Sequence, residues 1–254
     1  MNLKIEVGKK TYKLFIPSSP EEMKSEDWLF VYEQKELGLR LLELQLRFLL
    51  NKFKVLPQKV VKSLSDEQMV DICDKLYFIS DVYALHFCPI PQIEIEEIEY
   101  KSIDDIFSKI KGTDYAFIES YYNHFKESDD IFELFKIMSI LYAPQDKPFD
   151  EKKILERAEL FRTNLSVYHA QLISDWYNTI HKELETEFED VFKGDGSNSQ
   201  VESLGFIEVI YSLAGDKLGP VEKVENQIIR EIFTAALLEM NSAKRIKEAM
   251  NKKT

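Results

Sequence analysis

Cysteine is scarce in this chain, glycine and proline number only eight each among 254 residues, and long apolar runs are absent. The two cysteines, Cys73 and Cys88, sit in apolar company (Ile72-Cys73, Phe87-Cys88), which excludes a disulfide framework and fits small buried side chains in a reducing compartment. No stretch approaches the roughly eighteen apolar residues of a membrane span, and Met1 to Glu6 lacks the uninterrupted apolar region of a signal peptide. The expected location is therefore the cytoplasm. Positive charge is also short: 33 Lys and Arg against 45 Asp and Glu leave a net charge of -12. That disfavours direct binding to a nucleic-acid backbone, where cations must neutralise phosphates, and leaves a self-repelling acidic surface or a mimic of DNA.

Catalytic and ligand-binding signatures are missing as well. His86, Cys88 and Cys73 lack the Cys-x2-4-Cys knuckle of a structural zinc site. The stretch from Asp195 to Glu202 has the flavour of a calcium loop but no glycine at its sixth position and no acidic ligands at its third and fifth. Gly215 to Gly219 lacks the Gly-Lys-Ser/Thr ending of a phosphate loop, and neither Gly-x-Ser-x-Gly nor His-Glu-x-x-His occurs. Glu183 and Glu187, four apart on a charged helix face, read as solvated. The expectation is no catalytic, cofactor-binding or metal-binding residue, and no enzyme.

Apolar residues make up 44% of the chain and aromatics 12%, the balance of a packed globule. Leu3, Ile5 and Val7 alternate with charged residues, and beyond Gly8-Lys9-Lys10 so do Tyr12, Leu14 and Ile16, which predicts a half-buried hairpin. Ile93 and Ile95, alternating with glutamates, predict an edge strand added to it. Everything else has helical spacing. Ser19-Pro20 signals a helix start, and Trp28 to Phe53 is apolar nearly all round, which predicts a central helix with a break at Gly38. Ser65-x-x-Gln68 and Ser102-x-x-Asp105 read as capping boxes, Ser128 and Asp150 as further helix starts. A long helix carries Leu172, Trp176, Ile180 and Leu184, and two more span about 201 to 214 and 221 to 249, parted by Gly215 and Pro220. The predicted fold is mainly α, a multi-helix globular domain with a small N-terminal β-hairpin. Residues 1–193 form the hairpin and helical core, and 200–254 form a helical pair packed on it, with Gly194 to Ser199 as the boundary loop.

Trp28 and Trp176 read as core, and the tyrosines and phenylalanines from 115 to 142 as core or as a sticky groove. Lys244, Arg245, Lys247, Lys252 and Lys253 make a basic end on an acidic body, the predicted contact for an acidic protein partner.

The order of blocks resembles that of tail-assembly proteins of tailed phages, above all tape-measure chaperones and related baseplate factors. The resemblance is carried by a hairpin leading to Ile16-Pro17, by Glu26-Asp27-Trp28, and by Phe135-Lys136-Ile137-Met138-Ser139-Ile140-Leu141-Tyr142-Ala143-Pro144. Phe149-Asp150, Glu156-Arg157-Ala158, Phe161 and Gly205-Phe206-Ile207-Glu208-Val209-Ile210-Tyr211-Ser212-Leu213-Ala214-Gly215 follow, with Phe206 where the family commonly has Trp. It implies a non-enzymatic chaperone without cofactor that shields apolar segments of a long tail protein, the tape-measure protein being the implied partner. A structural component of the tail or baseplate and an acidic DNA-mimic inhibitor of a host nucleic-acid enzyme are the alternatives.

Overall fold

Leu3, Ile5 and Val7 alternate with polar residues because they share one face of an antiparallel hairpin, β1 (Asn2–Val7) and β2 (Lys10–Phe15), in the computed structural model of the chain. The register closes with Val7 opposite Lys10, and Gly8, at φ +64°, takes the first place of the two-residue turn, where a side chain would be strained. The structure describes residues 1–83, 85–103, 106–143, 150–193, 210, 213–214 and 218–251. The fold is mainly α with this hairpin at its start. The chain forms two compact units, residues 1–90 and 91–254. The Gly194 to Ser199 loop expected as a boundary lies outside the described residues, as do the calcium-like stretch, Asp105 of the second capping box and most of the helix expected over 201 to 214.

In the first unit the Ser19-Pro20 signal yields only a single 3-10 turn, Pro20–Glu22, and the first α-helix begins later. The Glu22 carboxylate is drawn back instead, accepting from the Ser18 amide at 2.7 Å and its hydroxyl at 3.0 Å. α1 (Ser25–Glu36) and α2 (Leu41–Phe53) are parted where Gly38 adopts φ +77° and its amide donates to the Lys35 carbonyl, a left-handed helix ending that favours glycine. The expected all-round burial of this stretch is wrong. Leu44, Phe48, Leu49 and Phe53 are buried, but Leu42, Leu46 and Leu50 form an exposed row with spacing four. After α3 (Gln58–Val61), α4 (Asp66–Lys75) opens on the expected capping box: Gln68 N donates to Ser65 Oγ, and Ser65 N to Gln68 Oε1. It ends at Lys75, giving way to a 3-10 turn over Tyr77–Asp81.

The second unit begins with its own hairpin. β3 (Gln92–Ile95) pairs with β4 (Ile98–Lys101), and among the described strands it does not join the N-terminal one, which corrects the edge-strand expectation. Its turn residues Glu96 and Glu97 both have positive φ, 52° and 65°, the conformation of a turn that usually reads Asn-Gly. Replacing them with Glu96→Asn and Glu97→Gly is expected to stabilise the unit by about 1 kcal/mol, the order of the left-handed penalty removed. An unchanged or lowered denaturation midpoint counts against that turn.

α5 (Ile106–Lys109) leads into α6 (Gly112–Ser128), and Ser128, expected to open a helix, closes this one. Asp129 turns the chain at φ 54°, and Asp130 caps α7 (Ile131–Leu141) by accepting from Phe132 N at 2.9 Å. α7 is the central helix, packed against α6, α8 (Glu151–Asn164) and α9 (Val167–Glu187). From Leu134 onward its apolar residues are buried on every side, which explains the apolar run Ile137 to Leu141, broken only by Ser139. The Ser139 hydroxyl is matched by donating to the Ile154 carbonyl at 3.0 Å, while Arg157 Nη1 donates to the Ser139 carbonyl at 2.6 Å. α10 (Glu189–Lys193) follows. The closing segment is α11 (Val221–Glu225) and α12 (Ile229–Asn251), interrupted because Ile228 forms a β-bridge with Lys111.

Candidate functional site

α12 is built from two halves with different fates. Ile229, Ile232, Phe233 and Ala236 face the core at helical spacing, with Phe233 against Phe188, Phe192 and Tyr115. The same stripe then runs on through Ala243, Ile246 and Met250, and there it is open to solvent: Ile246 is 59% and Met250 67% exposed. Ala236, Ala243 and Met250 are seven apart, so an apolar face that is core for two turns continues as surface for three more.

Of the basic residues expected at a partner contact, Lys244 and Arg245 lie on this exposed run. Lys244 is engaged with Asp190 of α10 at 3.1 Å. Lys247 is on the helix with its side chain outside the described residues, and Lys252 and Lys253 are outside altogether. The apolar partner of this charge pattern was not legible, because the stripe reads in sequence as more core.

A cleft of about 580 Å3 opens at the start of α7, walled by Phe132, Phe135, Leu165 and Val167. Its polar edge is Asp130 and the forked pair in which Arg162 donates to Glu159 at 2.5 and 2.9 Å. Of the 115 to 142 aromatics, Phe132 lines this cleft half-buried, while Phe135, Tyr115, Tyr121 and Tyr142 are core.

Two buried polar clusters escaped the sequence. In one, Tyr115 Oη lies 2.6 Å from His181 Nε2, which also faces Glu119 at 3.3 Å, and the Tyr177 hydroxyl donates to Glu119 at 3.0 Å. Burial, then the charge of Glu119, holds the Tyr115 and Tyr177 phenols well above their usual range, so neither is a phenolate at neutral pH. In the other, the 2% exposed Glu133 carboxylate accepts from Lys136 at 2.6 Å and faces His124 at 3.2 Å, and Lys136 lies over the Tyr121 ring. Burial pushes the Tyr121 phenol up to about 12. The first cluster joins residues of α6 and α9 far apart in sequence, which spacing cannot reveal, while in the second Glu133 and Lys136 are an i,i+3 pair on α7 and only packing makes the glutamate buried.

Trp28 and Trp176 are core, as expected, Trp28 lying against Phe78 and Phe87. Cys73 is buried and Cys88 half-buried, neither in a disulfide, and burial raises the Cys73 thiol above its ordinary value. Glu183 and Glu187 are exposed, Glu187 taking the fork of Arg230. Among the described residues no group of three His, Cys, Asp or Glu side chains is placed to hold a metal, and no helix is long and apolar enough to cross a membrane. No family model, curated protein or solved structure matches the chain.

Proposed function

We propose that this chain is a non-enzymatic protein-binding factor that acts in the assembly of a phage tail by shielding apolar segments of a long tail protein. The observation that carries the binding part is the exposed apolar run of α12, Ala243, Ile246 and Met250, beside Lys244 and Arg245. An amphipathic helix with a solvent-facing apolar stripe is a standard element of helix-in-groove and helix-pair recognition. The exposed row Leu42, Leu46 and Leu50 on α2 supports the same reading, since grouped apolar surface marks interaction sites. The tail-assembly setting comes from the layout resemblance.

The test is co-expression with a tape-measure protein, the partner this reading implies. The intact chain is expected to keep that partner soluble and to run with it on size-exclusion chromatography, while truncation after Met240 or the pair Ile246→Glu and Met250→Glu reduces both. Truncation should slow association most at low salt, where charges are least screened. A partner equally soluble without the chain, and no surviving complex, overturns the reading and moves a virion component or an acidic inhibitor ahead of it.

A further inference from the structure

We infer that the cleft at the start of α7 is the seat for the exposed end of α12 from a second copy of the chain, so that two copies pair by exchanging their helix ends. The inference rests on the reading that this helix end binds protein, and it names both a seat and an occupant.

The two surfaces are opposite in charge and alike in apolar character. The cleft wall is the half-buried Phe132, Leu165 and Val167 over the buried Phe135, and the open depression they form has a volume of about 580 Å3. The helix end supplies Ile246 and Met250, one turn apart on one face and each more than half exposed. Around the cleft, Arg162 is paired with Glu159, which leaves the exposed Asp130, the cap of α7, as the net charge. On the helix end Lys244 is paired with Asp190, and Arg245 and Lys247 still outnumber the single carboxylate, Glu248, between residues 241 and 251. A basic apolar helix and an apolar cleft with an acidic edge are complementary, and on a chain of net charge -12 such a basic patch is steered toward acid.

Seat and tail are different patches of one molecule. A one-way contact between copies would leave a free seat and a free tail and could continue into chains, whereas a reciprocal exchange satisfies both and closes a two-fold dimer. Because the exchanged element is the one offered to the tail protein, the dimer covers the apolar run until that partner displaces it.

A labelled peptide of residues 236–254 is titrated into the chain truncated after Met240, and the full chain is sedimented over a range of concentrations. Saturable peptide binding and a concentration-dependent dimer are expected. Leu165→Glu, at the half-buried wall, should abolish both. Asp130→Asn keeps the α7 cap, since Asn caps as well as Asp, and should weaken the peptide about two- to fivefold at low salt, the value of one exposed charge pair. Circular dichroism of both variants confirms that they fold. A full chain that is monomeric at every concentration, no saturable peptide binding, or binding indifferent to both variants overturns the seat. If that happens while the complex with the tail protein still survives chromatography, only this inference falls. If that complex is absent too, the binding function falls with it.

Discussion

Lys136→Met is expected to destabilise the second unit by about 3–5 kcal/mol, the cost of leaving a buried carboxylate without its cation. Glu133 is 2% exposed, and its Oε1 is held by Lys136 at 2.6 Å. The other contact to that oxygen, His124 at 3.2 Å, is 60% exposed, so it is a poor substitute for the half-buried lysine. Among the described residues Glu133 Oε2 and the Tyr121 hydroxyl are both buried without a hydrogen-bond partner, so the carboxylate is already under-satisfied before its cation is removed. The double variant Lys136→Met with Glu133→Leu removes both charges and should recover most of the loss, since apolar replacement of a buried pair is commonly near neutral. Chemical denaturation of the wild type, both single variants and the double variant checks this. A double variant as unstable as the sum of the singles shows that the pair is not coupled.

How much of this was legible in the sequence depends on whether the signal is local. The Ser65 to Gln68 capping box, the β1 and β2 alternation and the caps at Asp130 and Asp150 obey rules spanning four to seven residues, although the residue that actually opens α7 sits two past Ser128. The β3 to β4 turn was hidden because Glu96 and Glu97 are the wrong residue types for positive φ, so nothing in the sequence announced a hairpin there. The centre of the fold was misplaced for a related reason. Both Trp28 to Phe53 and Ile131 to Leu141 are apolar around much of the helix, and only packing decides that α7 is surrounded while Leu42, Leu46 and Leu50 are left exposed. The basic end was visible as charge. Its apolar side was not, since Ala243, Ile246 and Met250 resume the three-four spacing of Ile229, Ile232 and Ala236, with Glu239 the one charged residue in the series.

That continuity makes the two halves of α12 separable by experiment. Phe233→Ala is expected to cost about 3–5 kcal/mol, the range for deleting a buried aromatic side chain. Phe233 is 1% exposed, its ring stacks on Phe188 at 5.5 Å and meets Phe192 at 4.9 Å, and it stands edge-on to Tyr115 at 6.0 Å. The aromatic group that holds α12 to α6 and α9 would lose its hub, and the Tyr115 to His181 contact behind it would lose its cover. Removing residues 241–254 takes away a longer piece of the same helix but, among the described side chains, only exposed or half-buried ones and the surface pair Lys244 to Asp190, a pair worth at most about 1 kcal/mol. Thermal melts should therefore separate them: a large drop in Tm for Phe233→Ala, a small one for the truncation. A truncation as damaging as Phe233→Ala would mean that Ile246 and Met250 are structural in this chain, and the case for a helix end held ready for another protein would lose its foundation.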